Sequence, residues 1–410
     1  MKIYISRISI QNCFLYIYFF SINFENFNPT GYFSVSRLAG ILYIVSILPS
    51  IKNFLKFRMA HAYFYIPLII FTIYLTLISL INVNNFSSRF IDFAMIQNIL
   101  IFILMVNHAR KDRNALEKGM LFMGLGAVLV SILMTLGIGV SLMTEDIYGT
   151  VNRITFFNAE LNEIGLKLVA GIMIIIATYF NNPLKLNSIL ILFLVFTTPL
   201  MIYSIIGTAS RTAVLTLLLC GLTWLLFRSL ASKNKFLTFI LSSIILIIIL
   251  VPAIFFTSQI ETFELLAARI EDTGGISDRS EAGRFSLWIG FYNLIFTNII
   301  FGNGYSGFDL ITYEYFGFLE SPHNVFLEII LYTGLIGLVL YSLFLLRALK
   351  AAYFLFSRKK LLLPILIAPV AFSFIFILQG LSEKICWIFL AYVIGTYIYN
   401  NENLSIPLKK

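Results

Sequence analysis

Apolar residues run in blocks of about 18 to 25 along the whole chain, the length a membrane-spanning helix requires. Taken in order, the blocks predict helices near 3–22, 34–51, 62–83, 90–107, 116–141, 161–180, 187–206, 211–230, 236–256, 323–346, 361–380 and 385–400. No small-residue cleavage site follows the first block, so it is expected to be a retained helix rather than a signal peptide. Most connections are short. The exception is residues 257–322, which open with acidic and basic residues and the turn-prone Gly274-Gly275. From Arg284 the spacing of Phe285, Trp288, Tyr292 and Ile295 becomes helical. This predicts an amphipathic helix lying in the membrane interface, its aromatic stripe toward lipid. The glycine-rich FGNGYSGF at 301–308 predicts a loop after it. Ser321 suits a helix cap and Pro322 the first helical position, so His323 is expected in the first turn of the tenth helix.

Composition turns this pattern into a class. The 410 residues are 59% hydrophobic and only 12% charged, and the mean hydropathy is +0.91. Soluble domains run near a quarter charged, so this chain lacks the polar surface to face water. The expected fold is all-α, a polytopic membrane protein of about 12 helices forming one domain over residues 1–410. The net charge of +9 would suit a polyanion, but its distribution points elsewhere. Basic residues gather in alternate connections: Lys52, Lys56 and Arg58; Arg110, Lys111, Arg113 and Lys118; Lys185; Arg228, Lys233 and Lys235; and Arg347 through Lys360. The positive-inside rule then puts both termini and these connections in the cytoplasm, with no nucleic-acid role for the charge. Cys13, Cys220 and Cys386 lie far apart in apolar blocks, and neither metal spacing nor a disulfide framework emerges.

Candidate chemistry is therefore sought on the opposite, outer side. Arg211, in GTASRTA, sits in a very short outer connection against the positive-inside bias. A guanidinium fork suits phosphate or pyrophosphate; the plain alternative is an arginine snorkelling to lipid phosphate. Arg284 opens the interfacial helix with Trp288 one turn later, and could equally be a solvated charge. His61 and His108 fall in cytoplasmic loops by this topology, which leaves His323 as the only outer histidine. A helix start disfavours imidazolium and keeps the ring neutral, as a general base must be. Glu163 and Lys167, four apart in the sixth helix, are expected to pair. Glu328 is expected to face the bundle interior, and Gly334 and Gly337 to allow close helix packing. No metal spacing occurs among the outer acids. Two arginines and one neutral histidine suit metal-free transfer from a phosphorylated lipid donor.

At these residues the sequence resembles the O-antigen ligase and polymerase superfamily of bacterial membrane glycosyltransferases. The family signature of a histidine, a small polar residue, nine residues, a glycine and a further small residue three on is met by His323, Asn324, Gly334 and Gly337. The SRTA segment with Arg211 looks like its Ser-Arg-small motif, and Arg284, Trp288 and FGNGYSGF like its Arg-Trp-GxG segment. FNAELNEIG, 157–165, is a looser match that lacks the usual Asn-Pro pair. The motif-bearing region is 155–345. The resemblance implies glycan transfer from undecaprenyl pyrophosphate to a sugar hydroxyl at the periplasmic face of the inner membrane, without cofactor or metal and with inversion at the anomeric carbon. It implies catalytic roles for His323, Arg284 and Arg211, the arginines also binding pyrophosphate, with Asn324, Glu328 and Trp288 in support. A ligase acting on lipid A–core and a repeat-unit polymerase remain open alternatives, and a lipid-linked glycan flippase is a third.

Overall fold

The computed structural model describes residues 9–28, 34–54, 59–82, 93–112, 114–144, 152–181, 184–232, 234–241, 243–244, 281–317, 321–377, 381 and 383–402. Its helices are α1 (Ile10–Ser21), α2 (Val35–Ile47), α3 (Ile51–Phe54), α4 (Met59–Ile81), α5 (Phe93–Lys111), α6 (Ala115–Thr135), α7 (Leu161–Asn181), α8 (Ser188–Gly207), α9 (Arg211–Ala231), α10 (Glu281–Ile295), α11 (Gly304–Phe316), α12 (Val325–Lys359), α13 (Leu363–Ile377) and α14 (Lys384–Glu402). Among the described residues, six helices are long and apolar enough to cross a membrane: α4, α6, α7, α8, α9 and α12; three shorter apolar helices accompany them. The chain is an all-α membrane protein with one small β-hairpin. Most of the expected ninth helix, and Lys2, Arg7, Lys56, Arg58, Arg113, Lys233 and the acidic part of the long connection, lie outside the described residues.

α7 is the central post. Of its apolar stretch 83% is buried, against 33% for α9, which leaves Leu215, Leu218 and Leu222 facing outward. α7 packs against α6, α8, α9 and α13, while α14 lies along α5 and α12 along α4. Side-chain contacts sort the helix ends. Thr216, one turn into α9, shares a 2.6 Å hydroxyl hydrogen bond with Ser373 near the end of α13, and Phe326 at the head of α12 meets Phe376 one turn on. Asn162 at the head of α7 accepts from Ser210. The starts of α7, α9 and α12 thus share one end of the bundle. At the other end, Asn181 bridges α7 to the α12–α13 connection, Phe227 meets Phe356, and Lys185, Arg228, Arg358, Lys359 and Lys360 gather.

Four expectations change. The fifth helix ends at Thr135, not near 141, because Gly137 and Gly139 (φ +71 and +70) turn the chain into a hairpin pairing Val140–Thr144 with Asn152–Phe156. FGNGYSGF is not a loop throughout: Gly304 starts α11, which folds back on α10. That return helix buries Phe291, Leu294 and Ile295 of α10, with Phe291 against Phe308 and Phe316; Tyr292 stays exposed as expected, and Ile295 does not. His61 and His108 lie inside α4 and α5, not in loops; His108 is buried, bonded to Tyr43 and Asn12. Finally, α12 continues to Lys359. Apolar periodicity stops earlier, but past Gly334 the helix runs on until Lys360 adopts the left-handed conformation (φ +58) and closes it onto the Leu355 and Phe356 carbonyls.

Candidate active site

The heads of α9 and α12 are built alike. Before α9, Ala209 is left-handed (φ +48), Ser210 caps the helix by accepting from the Ala213 N–H at 3.2 Å, and Arg211 takes the first helical position. Before α12, His323 is left-handed (φ +46) and Asn324 is the cap, its Oδ1 accepting from the Phe326 and Leu327 N–H groups at 3.0 and 3.2 Å. His323 therefore precedes the helix and does not lie in its first turn. Ser321 is not the helix cap either; its hydroxyl accepts from the His323 N–H at 3.4 Å. The cause is competition between two capping side chains: Asn324 reaches two free helix donors, and Ser321 only a turn. A left-handed residue that is not glycine costs of order 1–3 kcal/mol, and such residues cluster at functional sites.

Trp288 supplies part of the compensation. Its indole Nε1 donates to the Pro322 carbonyl at 2.9 Å, fastening α10 to the turn that carries His323. Arg284 lies one turn earlier on α10, so its backbone belongs to the same corner; its side chain is outside the described residues. Glu328 is buried on the first turns of α12 and accepts from the Tyr332 hydroxyl at 3.3 Å.

The glycines have a stronger role than close helix packing. Gly334 interrupts α12 with φ +60 and ψ −162, and the segment from Ile299 to Asn303 fills the gap. The Leu335 N–H donates to the Ile299 carbonyl at 2.9 Å, and Asn303 donates to the Leu331 carbonyl through N at 2.9 Å and Nδ2 at 3.3 Å. Backbone groups freed by the break are thus re-paired inside protein, the condition for irregular backbone within a membrane bundle. A Cβ on Gly334 would strike the Ile300 carbonyl, one on Gly302 the Thr333 and Gly334 amides, and one on Gly304 the backbone of Ser79 in α4 at 2.7 Å. The GxG pair and Gly334 are two halves of one joint.

A second cluster was missed by sequence reasoning because its members are remote in the chain. Glu163 and Lys167 on α7 do pair, and Lys167 also reaches Glu25 Oε2 at 3.4 Å. Lys384, opening α14, pairs with Glu25 and donates to the Ser36 hydroxyl at 3.1 Å; Asn26 donates to Glu163 at 3.1 Å. Carboxyl oxygens of Glu25, Glu163 and Glu383 come within 4.8 Å of one another, a ligand-like spacing whose charge the two lysines offset from within. Burial opposes ionisation of Glu25, but the ammonium groups of Lys167 and Lys384 outweigh it and hold the carboxyl below its ordinary range. Burial, with Glu163 and Glu25 nearby, pushes Glu383 well above it. The available signal was Lys384 itself, a lysine at a helix start that the basic-loop pattern leaves on the side where lysines are expected to be scarce. The cluster reaches the Arg211 end through α7: Asn162 accepts from the Ser210 hydroxyl at 2.7 Å, and a Cβ on Gly165 would meet that of Ala213 at 2.5 Å. The FNAELNEIG segment is thus the seat of the SRTA turn.

The sequence family described as O-antigen ligase matches residues 196–342. Over this stretch the chain is similar to that family. The matched stretch runs from the middle of α8 through the broken part of α12, and so contains Arg211, α10 with Trp288, the GxG pair, His323, Asn324 and Gly334. The paired ends described above, Trp288 on Pro322 and Gly302 on Gly334, both fall inside it. No curated protein sequence matches the chain.

Proposed function

We propose that the protein is a membrane glycosyltransferase that moves a glycan from undecaprenyl pyrophosphate to a sugar hydroxyl of lipid A–core at the periplasmic face of the bacterial inner membrane. The observation that carries the proposal is the O-antigen ligase match over residues 196–342, within which Trp288 holds the turn bearing His323. The gathering of basic residues at the far end of the bundle supports a cytoplasmic face there by the positive-inside rule, and with it an outer position for Arg211 and His323. His323 takes the proton of the acceptor hydroxyl as its oxygen attacks the anomeric carbon. The bond from that carbon to the pyrophosphate oxygen breaks on the opposite side, inverting the centre. Arg211 and Arg284 bind the pyrophosphate and stabilise the charge it gains on leaving. A positioned base contributes about 10²–10⁴ in rate, and one preorganised charge stabiliser about 2.7–4 kcal/mol. Asn324 and Glu328 hold the head of α12 in support.

The test is lipopolysaccharide gel analysis of cells in which the gene is deleted and replaced with variants. His323→Ala is expected to reach the membrane at wild-type level yet leave core lipopolysaccharide bare. Full-length glycan on core in that strain would refute the assignment of His323. Core carrying a single repeat would instead assign the same chemistry to a repeat-unit polymerase. Precursor accumulating on the cytoplasmic side, with transfer intact, would indicate transport.

A further inference from the structure

At the end of the bundle away from Arg211, α7, α8 and α9 enclose a cavity of about 430 Å³. It lies within the range of about 300–1,000 Å³ typical of ligand pockets, and far above the ~30 Å³ share of one water molecule. Its wall is almost wholly apolar: Ile172 and Ile176 of α7, Phe196 and Pro199 of α8, Leu217 of α9. Pro199 sits inside α8, where it forgoes a backbone hydrogen bond and keeps the helix from closing on its neighbours. The cavity has one polar end. Trp224 is only 6% exposed, lines the cavity, and has an indole Nε1 with no hydrogen-bond partner among the described residues. One turn on, the Arg228 guanidinium stacks 4.0 Å from the Phe180 ring centroid and 5.2 Å from that of Trp224, and its Nη1 also lacks a partner among the described residues. Lys185 follows α7 on this side, and Lys360, whose carbonyl accepts from Asn181 at 2.8 Å, brings Arg358 and Lys359 with it. The acids at this end, Asp112 and Glu117, lie with α5 and α6; Asp112 is bonded to Asn12.

We infer that this cavity is a binding site for an anionic phospholipid of the leaflet opposite the candidate active site, its acyl chain in the α7–α8–α9 cavity and its phosphate on Arg228 and Trp224. An apolar slot ending in an indole donor, a desolvated guanidinium and a basic rim matches an acyl chain ending in an anionic headgroup. The donor lipid of the proposed reaction does not fit this polarity. Arg211 and Arg228 are 17 residues apart on one helix, about 26 Å at 1.5 Å per residue, so their ligands sit at opposite membrane boundaries. The inference is independent of the glycan-transfer proposal and holds whether or not His323 is catalytic.

The test is native mass spectrometry of the full-length protein, delipidated in detergent and titrated with phosphatidylglycerol or phosphatidylcholine of identical chains. The wild-type protein is expected to hold one phosphatidylglycerol at least tenfold more tightly than phosphatidylcholine. Arg228→Gln should reduce that preference to near one while phosphatidylcholine retention stays unchanged. Leu217→Trp, which fills the cavity, should weaken both lipids with helicity by circular dichroism intact. Equal retention of the two lipids by the wild-type protein, which needs no variant, would overturn the inference, as would a preference that survives Arg228→Gln. One-for-one displacement of phosphatidylglycerol by a polyprenyl phosphate would also overturn it, by assigning the cavity to the donor's tail.

Discussion

Replacing Gly334 with alanine tests the joint between α12 and the segment before α11. Two costs are separable. The backbone at φ +60, ψ −162 lies in a region that is essentially glycine-only, costing another residue about 1–3 kcal/mol. The added methyl would also collide with the Ile300 carbonyl and come 2.7 Å from the Phe301 N atom. Backbone cannot swing aside as a long side chain can, so the Ile299–Asn303 segment must retreat, an overpacking cost of about 1–3 kcal/mol. Retreat further weakens the Leu335–Ile299 and Asn303–Leu331 hydrogen bonds, each worth about 0.5–1.5 kcal/mol net. The first two costs alone total about 2–6 kcal/mol, a large fraction of the roughly 5–15 kcal/mol that holds a typical domain folded. Gly317 provides an internal control: its φ is +78, yet nothing lies within 4 Å of the Cβ it would gain. Gly317→Ala therefore bears the milder cost of an αL backbone and no collision. Thermal unfolding of both variants in detergent, followed by size-exclusion chromatography, should show Gly334→Ala melting well below Gly317→Ala and below wild type. If the two variants melt together, the joint does not exist as described.

Trp288→Phe keeps an aromatic ring on α10 but removes the donor to the Pro322 carbonyl. The lost bond is comparable to the cost of the left-handed His323, so the turn should loosen; glycan transfer is expected to fall about tenfold, the equivalent of 1.4 kcal/mol, with the melting temperature little changed, and wild-type transfer would rule out this positioning role. Lys167→Met leaves the carboxylates of Glu25 and Glu163 buried without one of their two cations. Breaking a buried pair this way costs about 3–5 kcal/mol, so the variant should be lost from the folded peak on size-exclusion chromatography, while Lys167→Met combined with Glu163→Gln should recover part of it; no difference between single and double variants would refute the coupling.

Much of the fold could be read from the chain because a membrane protein writes its helices as uninterrupted apolar blocks. The blocks at 161–180, 187–206 and 211–230 match α7, α8 and α9 to within one or two residues. Legibility failed where the polar-to-apolar pattern no longer decides the backbone. The break at Gly334 falls inside an apolar block, since a re-paired backbone needs no polar side chain to announce it. α11 was hidden because a glycine-rich stretch normally marks a loop, whereas here Gly302 and Gly304 are small for the sake of docking. At the candidate site, Arg211, Trp288 and His323 stood out by charge, aromaticity and side of the membrane. The cap was misplaced by three residues because Ser321 and Asn324 are both good caps and only geometry ranks them. Of the charge cluster the sequence offered only the Glu163–Lys167 pair, whose spacing of four is local; Glu25 and Lys384 come from remote helix ends and gave no sign of joining it.

That cluster also has a consequence for biogenesis. Glu25 leaves α1, Lys167 belongs to α7 and Lys384 opens α14, so its charges come from the early, middle and late thirds of synthesis. Until residue 384 emerges from the ribosome, Glu25 has only half of its positive company and α5 stands without the helix that lies along it. α14 thus completes the charge cluster after α1 and α7 have already been made. A chain stalled before α14 would leave Glu25 and Glu163 sharing the single ammonium of Lys167, a mark by which a quality-control protease could tell an unfinished bundle from a complete one.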